Sequence, residues 1–318
     1  MRKIENLNTI QLHEALFQGL LGRKLNENER EYLEEFYANK DVCIEELSRN
    51  IANSEEFFQK KREDFVYRLF PKSTVVIGHG PMGHELCLDL RQFHMGFATV
   101  AGHYEVAESR FVQKHIKPNM TVIDIGGNIG FFTTMFASLV GPSGSVTTFE
   151  PVTQTFLRLQ AAVHRNRQDH IVKLYHAAAS NAEGFAEISY PMDCVNMGGV
   201  SITNEGQSRH AIKERIHTVR LDDELGGRQI DFIKIDVEGA ELLALQGADQ
   251  ILRSSRPTMM MEFNREQLAN VSQTTPEALF ELVSGYGYSA WHINWDGDLI
   301  PFEGDFSPAV LNLVFLPQ

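Results

Sequence analysis

The chain has 318 residues, 43% hydrophobic and 22% charged, with a formal net charge of −13. That length leaves room for about two domains and a large core, and the acidic excess disfavours a nucleic-acid partner, because binders of phosphate backbones present basic surface. No stretch approaches the ~20 apolar residues of a membrane span, the N-terminus lacks a signal-type apolar core, and Cys43, Cys87 and Cys194 are too few and too scattered for a disulfide framework or zinc knuckle, so a cytoplasmic protein with reduced thiols is expected.

Residues 1–70 read as a small all-α domain. Asn26 followed by Glu29 resembles a capping box, with Leu33, Phe36 and Tyr37 on one face of the helix it would start. Ser54 caps a further helix carrying Phe58, Phe65 and Leu69 on one stripe, and Pro71 ends it. Residues 71–104 change to short apolar runs broken by Gly78, Gly80, Pro81, Gly83 and Gly96, the pattern of a β-hairpin or lid. The run Gly78-His79-Gly80-Pro81-Met82-Gly83 lacks a following Gly-Lys-Ser/Thr, so it reads as a turn and not a phosphate loop.

From 105 to 318 helix and strand alternate. Helices are expected at about 105–116, 130–139, 153–165, 239–252 and 276–284. Strands are expected at 121–125, 145–149, 171–176, 230–235, 258–262, 288–293 and 309–315. A Gly-, Asn- and Ser-rich insertion at 181–215 interrupts the series. This alternation predicts an α/β fold: a mostly parallel seven-stranded, Rossmann-like sheet wrapped on both faces, its last strand inserted antiparallel.

The candidate chemistry lies at the carboxyl ends of those strands, where open α/β sheets hold ligands. Val122-Ile123-Asp124-Ile125 runs into Gly126-Gly127-Asn128-Ile129-Gly130. A dinucleotide loop of form Gly-x-Gly-x-x-Gly needs its middle glycine to admit a pyrophosphate, but Asn128 stands there and Asp124 would repel the phosphates. The turn instead suits a nucleoside-like cation, and S-adenosylmethionine, with its sulfonium and ammonium, fits better than NAD. Glu150 closes the next strand, where an acid can accept ribose hydroxyls. Asp236 and Glu238 follow the strand at 230–235, with Glu238 also placed to favour the next helix dipole. Glu262 ends Met259-Met260-Met261-Glu262 beside Asp236. Cofactor contacts are therefore expected from Glu105, Asp124, Gly126, Asn128, Gly130, Glu150 and Asp236. Asp236, Glu262 and His103 are candidates for orienting an acceptor hydroxyl or taking its proton; His176 is a weaker one. Two neighbouring acids can also bind a metal through oxygen, but no metal ligands are assigned.

These same residues resemble the FkbM family of S-adenosylmethionine-dependent methyltransferases. The resemblance runs from Tyr104-Glu105 to the final strand. It rests on Val122 to Phe131, Phe149-Glu150-Pro151, Val219-Arg220-Leu221-Asp222-Asp223, Ile233-Lys234-Ile235-Asp236-Val237-Glu238-Gly239-Ala240-Glu241, Arg256-Pro257 and Glu262. The block around Asp236 is the most specific. The family usually has alanine where this chain has Gly127, a departure of one methyl. The resemblance implies O-methylation of a sugar, glycan precursor or secondary metabolite. Residues 14–57 are similar to a small helical domain of unknown function attached to bacterial glycan-related proteins, which favours a saccharide acceptor and leaves protein contacts or dimerisation as the domain's role. A non-catalytic binding module of the same fold and an NAD-dependent oxidoreductase are the alternatives.

Overall fold

The computed structural model describes Val66, Leu69, Phe70, 72–191 and 211–318. The helices expected within 1–70, with the Asn26 capping box and the stripe through Phe58 and Phe65, lie outside the described residues. The chain divides into two compact units, one of residues 1–78 and 88–104, the other of 79–87 and 105–318.

In the segment expected to be a hairpin, β1 (Val75–His79) and β2 (Glu85–Asp89) form a two-stranded sheet. The glycine-rich run between them is a turn closed by the Gly83 N–H on the Gly80 carbonyl. A helical stretch follows through Phe93–Phe97 and Ala98–Val100.

The larger unit opens with α1 (Val106–His115) and continues through β3 (Thr121–Ile125), α2 (Phe131–Val140), β4 (Ser145–Phe149), α3 (Thr153–Arg165) and β5 (Val172–Tyr175). Three strands then form a separate sheet: β6 (Ala178–Ala179), β7 (Gly184–Pro191) and β8 (Ala211–Val219), in the order β6-β8-β7. After α4 (Leu221–Leu225) come β9 (Phe232–Ile235), α5 (Glu241–Gln246), α6 (Asp249–Ser254), β10 (Thr258–Asn264), α7 (Arg265–Val271) and α8 (Pro276–Gly285). The chain closes with β11 (Tyr288–Ile293), β12 (Leu299–Pro301) and β13 (Val310–Pro317).

The main sheet has the order β12-β11-β13-β10-β9-β3-β4-β5. Strands β5, β4, β3, β9 and β10 are parallel, while β13 is inserted antiparallel between β10 and β11. This is the expected seven-stranded Rossmann-like sheet with one addition, β12, which pairs antiparallel with β11 as an eighth strand. Three residues bounded by Gly297 and Gly304 carry too little pattern to be read as a strand from sequence.

The strands read as apolar runs because both faces are covered. Val122, Ile123, Ile125, Phe232, Ile233, Ile235, Met259 and Met261 are all at most 2% exposed. At about 1.5–3 kcal/mol for each fully buried large side chain, they form the rigid floor beneath the strand ends. The insertion expected at 181–215 contains β7 and the first residues of β8, and the two strands pair from Gly184 opposite Thr218 to Pro191 opposite Ala211. Their alternating apolar residues pack Ile188, Tyr190 and Ile216 with Val152 and Ala178.

The helix expected over 239–252 is two helices. Gly247 packs against the Ser180 carbonyl so closely that a Cβ would lie 2.0 Å from it. At this break the Asp222 carboxylate accepts the Gln250 and Ile251 N–H groups, capping α6 from outside its own segment. Asn264 caps α7 at the Gln267 N–H, and Thr275 caps α8 with Pro276 in its first turn.

Candidate active site

Parallel pairing brings four strand ends into one row. Asp124 on β3 is opposite Thr148 on β4 and Lys234 on β9, and Met261 on β10 is opposite Ile235. The turn after β3 is shaped by Gly126, at φ +86°, where a Cβ would lie 1.9 Å from the Asp236 carbonyl. Only glycine tolerates both that dihedral and that approach. Asn128 sits at φ +50°. Asparagine is among the few side chains that enter the left-handed region readily, so it preserves the turn while narrowing the space a pyrophosphate would need.

Asp124 is 1% exposed. Its Oδ2 accepts the Thr133 hydroxyl at 2.6 Å, and its Oδ1 has no hydrogen-bond partner. Burial pushes its carboxyl upward, opposed by the nearby Lys234 ammonium and the Thr133 hydroxyl. A buried carboxylate oxygen without a donor costs about 1–3 kcal/mol or more, which a cationic ligand or its N–H groups would relieve. That is the fit expected for an S-adenosylmethionine seat and the opposite of what a pyrophosphate requires.

Glu150 is 5% exposed and heavily engaged. Its Oε1 accepts the Val152 N–H and the Thr155 hydroxyl, while Oε2 accepts the Asn128 N–H. Burial raises its carboxyl to about 7, against the pull of these donors. Of roughly four acceptor positions on a carboxylate, three are filled. Glu150 therefore ties the glycine turn to the start of α3, with about one acceptor position left for a further donor.

On the other side of Asp124 lies an acidic group with, among the described residues, a single cation. The Lys234 Nζ is 2.9 Å from Asp236 Oδ2 and 4.9 Å from the Phe132 ring centroid. Burial would lower its ammonium, but Asp236 and Asp124 outweigh that and hold it above its ordinary value. Asp236, Glu238 and Glu262 each place a carboxylate oxygen so that all three lie within 4.8 Å of one another. Glu262 is driven well above the carboxylate range by burial, then by Asp236 and Glu238. Glu105 is raised by burial, Glu108 and Asp236, and burial with Asp236 lifts Glu238 to about 8. Two of these residues hold unusual backbone, Glu105 at φ +47° and Glu238 at φ +50°. Dihedrals of this kind cost of order 1–3 kcal/mol and cluster where function needs them.

Glu238 precedes α5 by three residues, so the dipole role expected of it falls to Glu241. The Glu241 Oε1 accepts the Val237 and Gly239 N–H groups. A small cavity is lined by Glu105, Glu108, Lys234, Asp236, Glu262 and Asn312, among others, and Asn312 donates to Glu108 at 3.0 Å.

The structure thus gathers Glu105, Asp124, Asp236, Glu238 and Glu262 about Lys234, with Gly126, Asn128, Gly130 and Glu150 forming the adjoining turn. His103 belongs to the smaller unit, where its N–H donates to the Ala98 carbonyl. His176 faces the Thr153 hydroxyl at 3.2 Å and stacks on Phe156. Sequence reasoning passed over Lys234, Thr133, Glu108 and Glu241. The first signal for Lys234 is its spacing, two residues before Asp236 on the same strand face.

Residues 124–290 match the model of the methyltransferase FkbM domain. Among curated relatives, the chain is similar to the 31-O-demethyl-FK506 methyltransferase FkbM of Streptomyces tacrolimicus, 29% identical over 48% of this chain and 73% of that protein. It is also similar to the AMB antimetabolite synthetase AmbE of Pseudomonas aeruginosa, 24% identical over 54% of this chain but only 10% of that protein. Among solved structures, methyltransferase FkbM of Methylobacillus flagellatus aligns with a TM-score of 0.41 at 14% identity, over 96% of this chain and 59% of that one. The chain therefore spans a small part of the synthetase and most of the S. tacrolimicus enzyme. Among the described residues no helix is long and apolar enough to cross a membrane. With the domain covering more than half of its residues, the chain belongs to the FkbM family of S-adenosylmethionine-dependent methyltransferases.

Proposed function

We propose that this protein transfers a methyl group from S-adenosylmethionine to a hydroxyl oxygen of a sugar, glycan precursor or secondary metabolite. The observation that carries this reading is the unpartnered Asp124 Oδ1 beside a carboxylate group whose counter-charge, among the described residues, is Lys234. Such a site favours a cation next to a polar, hydrogen-bonding acceptor. The similarity to an enzyme named for a 31-O-demethyl substrate supports an oxygen acceptor.

When bound, the cofactor supplies an electrophilic methyl on a sulfonium. Gly126, Asn128 and Gly130 shape the seat; Asp124 and Glu105 favour its positive groups, and Glu150 offers one acceptor position to the ribose. Asp236, steadied by Lys234, orients the acceptor hydroxyl. Glu262, which is not tied to Lys234 in this way, would accept the hydroxyl's proton once the positive charge of the bound cofactor favours its ionised form, and the cofactor would supply the methyl group. Alignment of the two reactants contributes up to about 7–11 kcal/mol in favourable cases.

The test is incubation with methyl-labelled cofactor and a panel of hydroxylated saccharides and secondary metabolites, reading label in the acceptor and S-adenosylhomocysteine release. The expected result is label on oxygen, lost in Glu262→Gln. Cofactor binding with no transfer to any acceptor would favour a binding module instead.

A further inference from the structure

Helix α3 starts beside the cofactor turn without a cap of its own. Val152, its N-cap residue, has no side-chain acceptor for the first N–H groups. Two carboxylates from outside the helix take that place. Glu150 Oε1 accepts the Val152 N–H and the Thr155 hydroxyl, and its Oε2 accepts the Asn128 N–H of the glycine turn. Glu214 on β8, 61 residues beyond Thr153, accepts the Thr153 N–H at 3.0 Å and the Thr153 hydroxyl through the same Oε1.

The place of Glu214 in its strand is unusual. In Ile212-Lys213-Glu214-Arg215-Ile216, strand alternation puts Ile212, Glu214 and Ile216 on one face. That face packs Ile216 with Val152, Ala178, Ile188 and Tyr190. Lys213 and Arg215, on the other face, meet Glu187 and the Phe185 ring. Glu214 is therefore an acid in the middle of an apolar face, a costly place unless its oxygens are bonded. Both are: Oε2 accepts the Tyr190 hydroxyl at 3.0 Å. The single Thr153 hydroxyl proton goes to Glu214, so toward His176 Nε2, 3.2 Å away, that oxygen acts as acceptor. A directed chain runs from the end of β5 through α3 to the separate sheet.

Val152 joins the two acids. Glu150 holds its N–H, while its side chain is buried in the cluster of Ile188, Tyr190 and Ile216.

We propose that Glu214 is a positioning residue for the cofactor. By fixing the first turn of α3 from the β6-β8-β7 sheet, it holds Glu150, and through Glu150 the turn at Asn128, in the geometry that binds S-adenosylmethionine. Its own oxygens are taken up by Thr153 and Tyr190, so it acts through the helix start. Without it the turn is ordered only as the cofactor binds, which lowers affinity. This rests on Glu150 being part of the cofactor seat and not on the acceptor, so the test measures binding without turnover.

Calorimetric titration of the full-length protein with S-adenosylhomocysteine, well below the melting temperature, compares the parent with Glu214→Ala, Glu150→Gln and the double variant. Glu214→Ala should weaken binding about fivefold, the factor for one lost capping contact. That loss should largely vanish once Glu150 is changed, because both residues act on the same turn. Glu214→Gln should restore most of the affinity, its amide oxygen facing Thr153 and its NH₂ the Tyr190 oxygen. Glu214→Asp, a methylene too short to reach Thr153, gives the same reading as Glu214→Ala should the latter fail to fold. A Glu214→Ala variant that melts lower yet binds as tightly as the parent would make Glu214 a structural cap alone and overturn the proposal. So would a loss of the same size in the Glu150→Gln background. The expected binding pattern without methyl transfer to any acceptor would leave the proposal standing and count against the reaction alone.

Discussion

Replacing Gly127 by alanine gives this chain the residue usual in the family, and the structure predicts that the change is harmful. The Gly127 backbone is not in the left-handed region, so no dihedral penalty arises. The added Cβ, however, would stand 2.2 Å from Thr148 Cγ2, 3.2 Å from Thr133 Oγ1 and 3.3 Å from Leu159 Cδ2. Thr148 is fully buried, β-branched and hydrogen-bonded to Thr133, so it has no easy rotamer to escape into. Overpacking of this kind costs about 1–3 kcal/mol, and the stiffer unfolded chain returns about 0.4–1. A net loss of about 1–2 kcal/mol follows. Thr133 also holds Asp124, so cofactor affinity should fall with it. Thr148→Ser deletes the obstructing methyl and keeps the hydroxyl, at a cost near 1 kcal/mol for the buried group. In that background the alanine fills the vacated space, giving a favourable coupling of about 1–2 kcal/mol, within the range of contacting pairs. Urea denaturation of the four proteins measures this. Strict additivity, or a single Gly127→Ala variant as stable as the parent, would refute the reasoning.

Three further outcomes are expected. Asp222→Asn puts an amide donor against the Gln250 or Ile251 N–H and should cost about 1–3 kcal/mol, seen as a lower melting temperature with cofactor affinity unchanged. Glu150→Gln faces three donors with an amide group and should lower cofactor affinity and melting temperature together, since the same carboxylate fixes the turn and α3. For pH, burial and Asp236 raise Glu238 from 4.5 to about 8. The folded state then holds more protons than the unfolded one between those values, and stability falls as pH rises through them. Glu262 and Glu105, shifted in the same direction, extend this trend. The melting temperature of the ligand-free protein should drop from pH 5 to 8, and Glu262→Gln should flatten the profile.

Much of the sheet was legible because its strands are short apolar runs ending in turn residues. Thr121–Ile125, Ser145–Phe149, the helix Thr153–Arg165 and Tyr288–Ile293 stand where periodicity puts them. What escaped depends on contacts distant in sequence. The break at Gly247 comes from the Ser180 carbonyl, 67 residues earlier, and is invisible in a helical stripe. β7 and the start of β8 fall in a segment whose Gly and Ser content reads as loop. At the site, the acids were legible by position at strand ends, but their partners were not. Lys234 looks like an ordinary strand residue until Asp124 is brought opposite it by register. The motifs also mix roles that only structure separates. Asp222 caps α6, and Arg256 ties the Tyr286, Gly287 and Gln318 carbonyls together, whereas Asp124 and Asp236 face the site. Gly127 looked like a trivial departure from the family pattern until Thr148 was seen to fill the space an alanine would take.

The central claim is that the turn at 126–130, with Asp124 beneath it, seats S-adenosylmethionine. Calorimetric titration of the full-length protein with S-adenosylmethionine, S-adenosylhomocysteine and NAD tests it most directly. The account predicts saturable binding of the two adenosyl thio-compounds and none of NAD, with Asp124→Asn weakening S-adenosylmethionine by about tenfold or more, or ~1.4 kcal/mol. Binding of NAD without S-adenosylmethionine, or an Asp124→Asn variant that binds the cofactor as tightly as the parent, would contradict it.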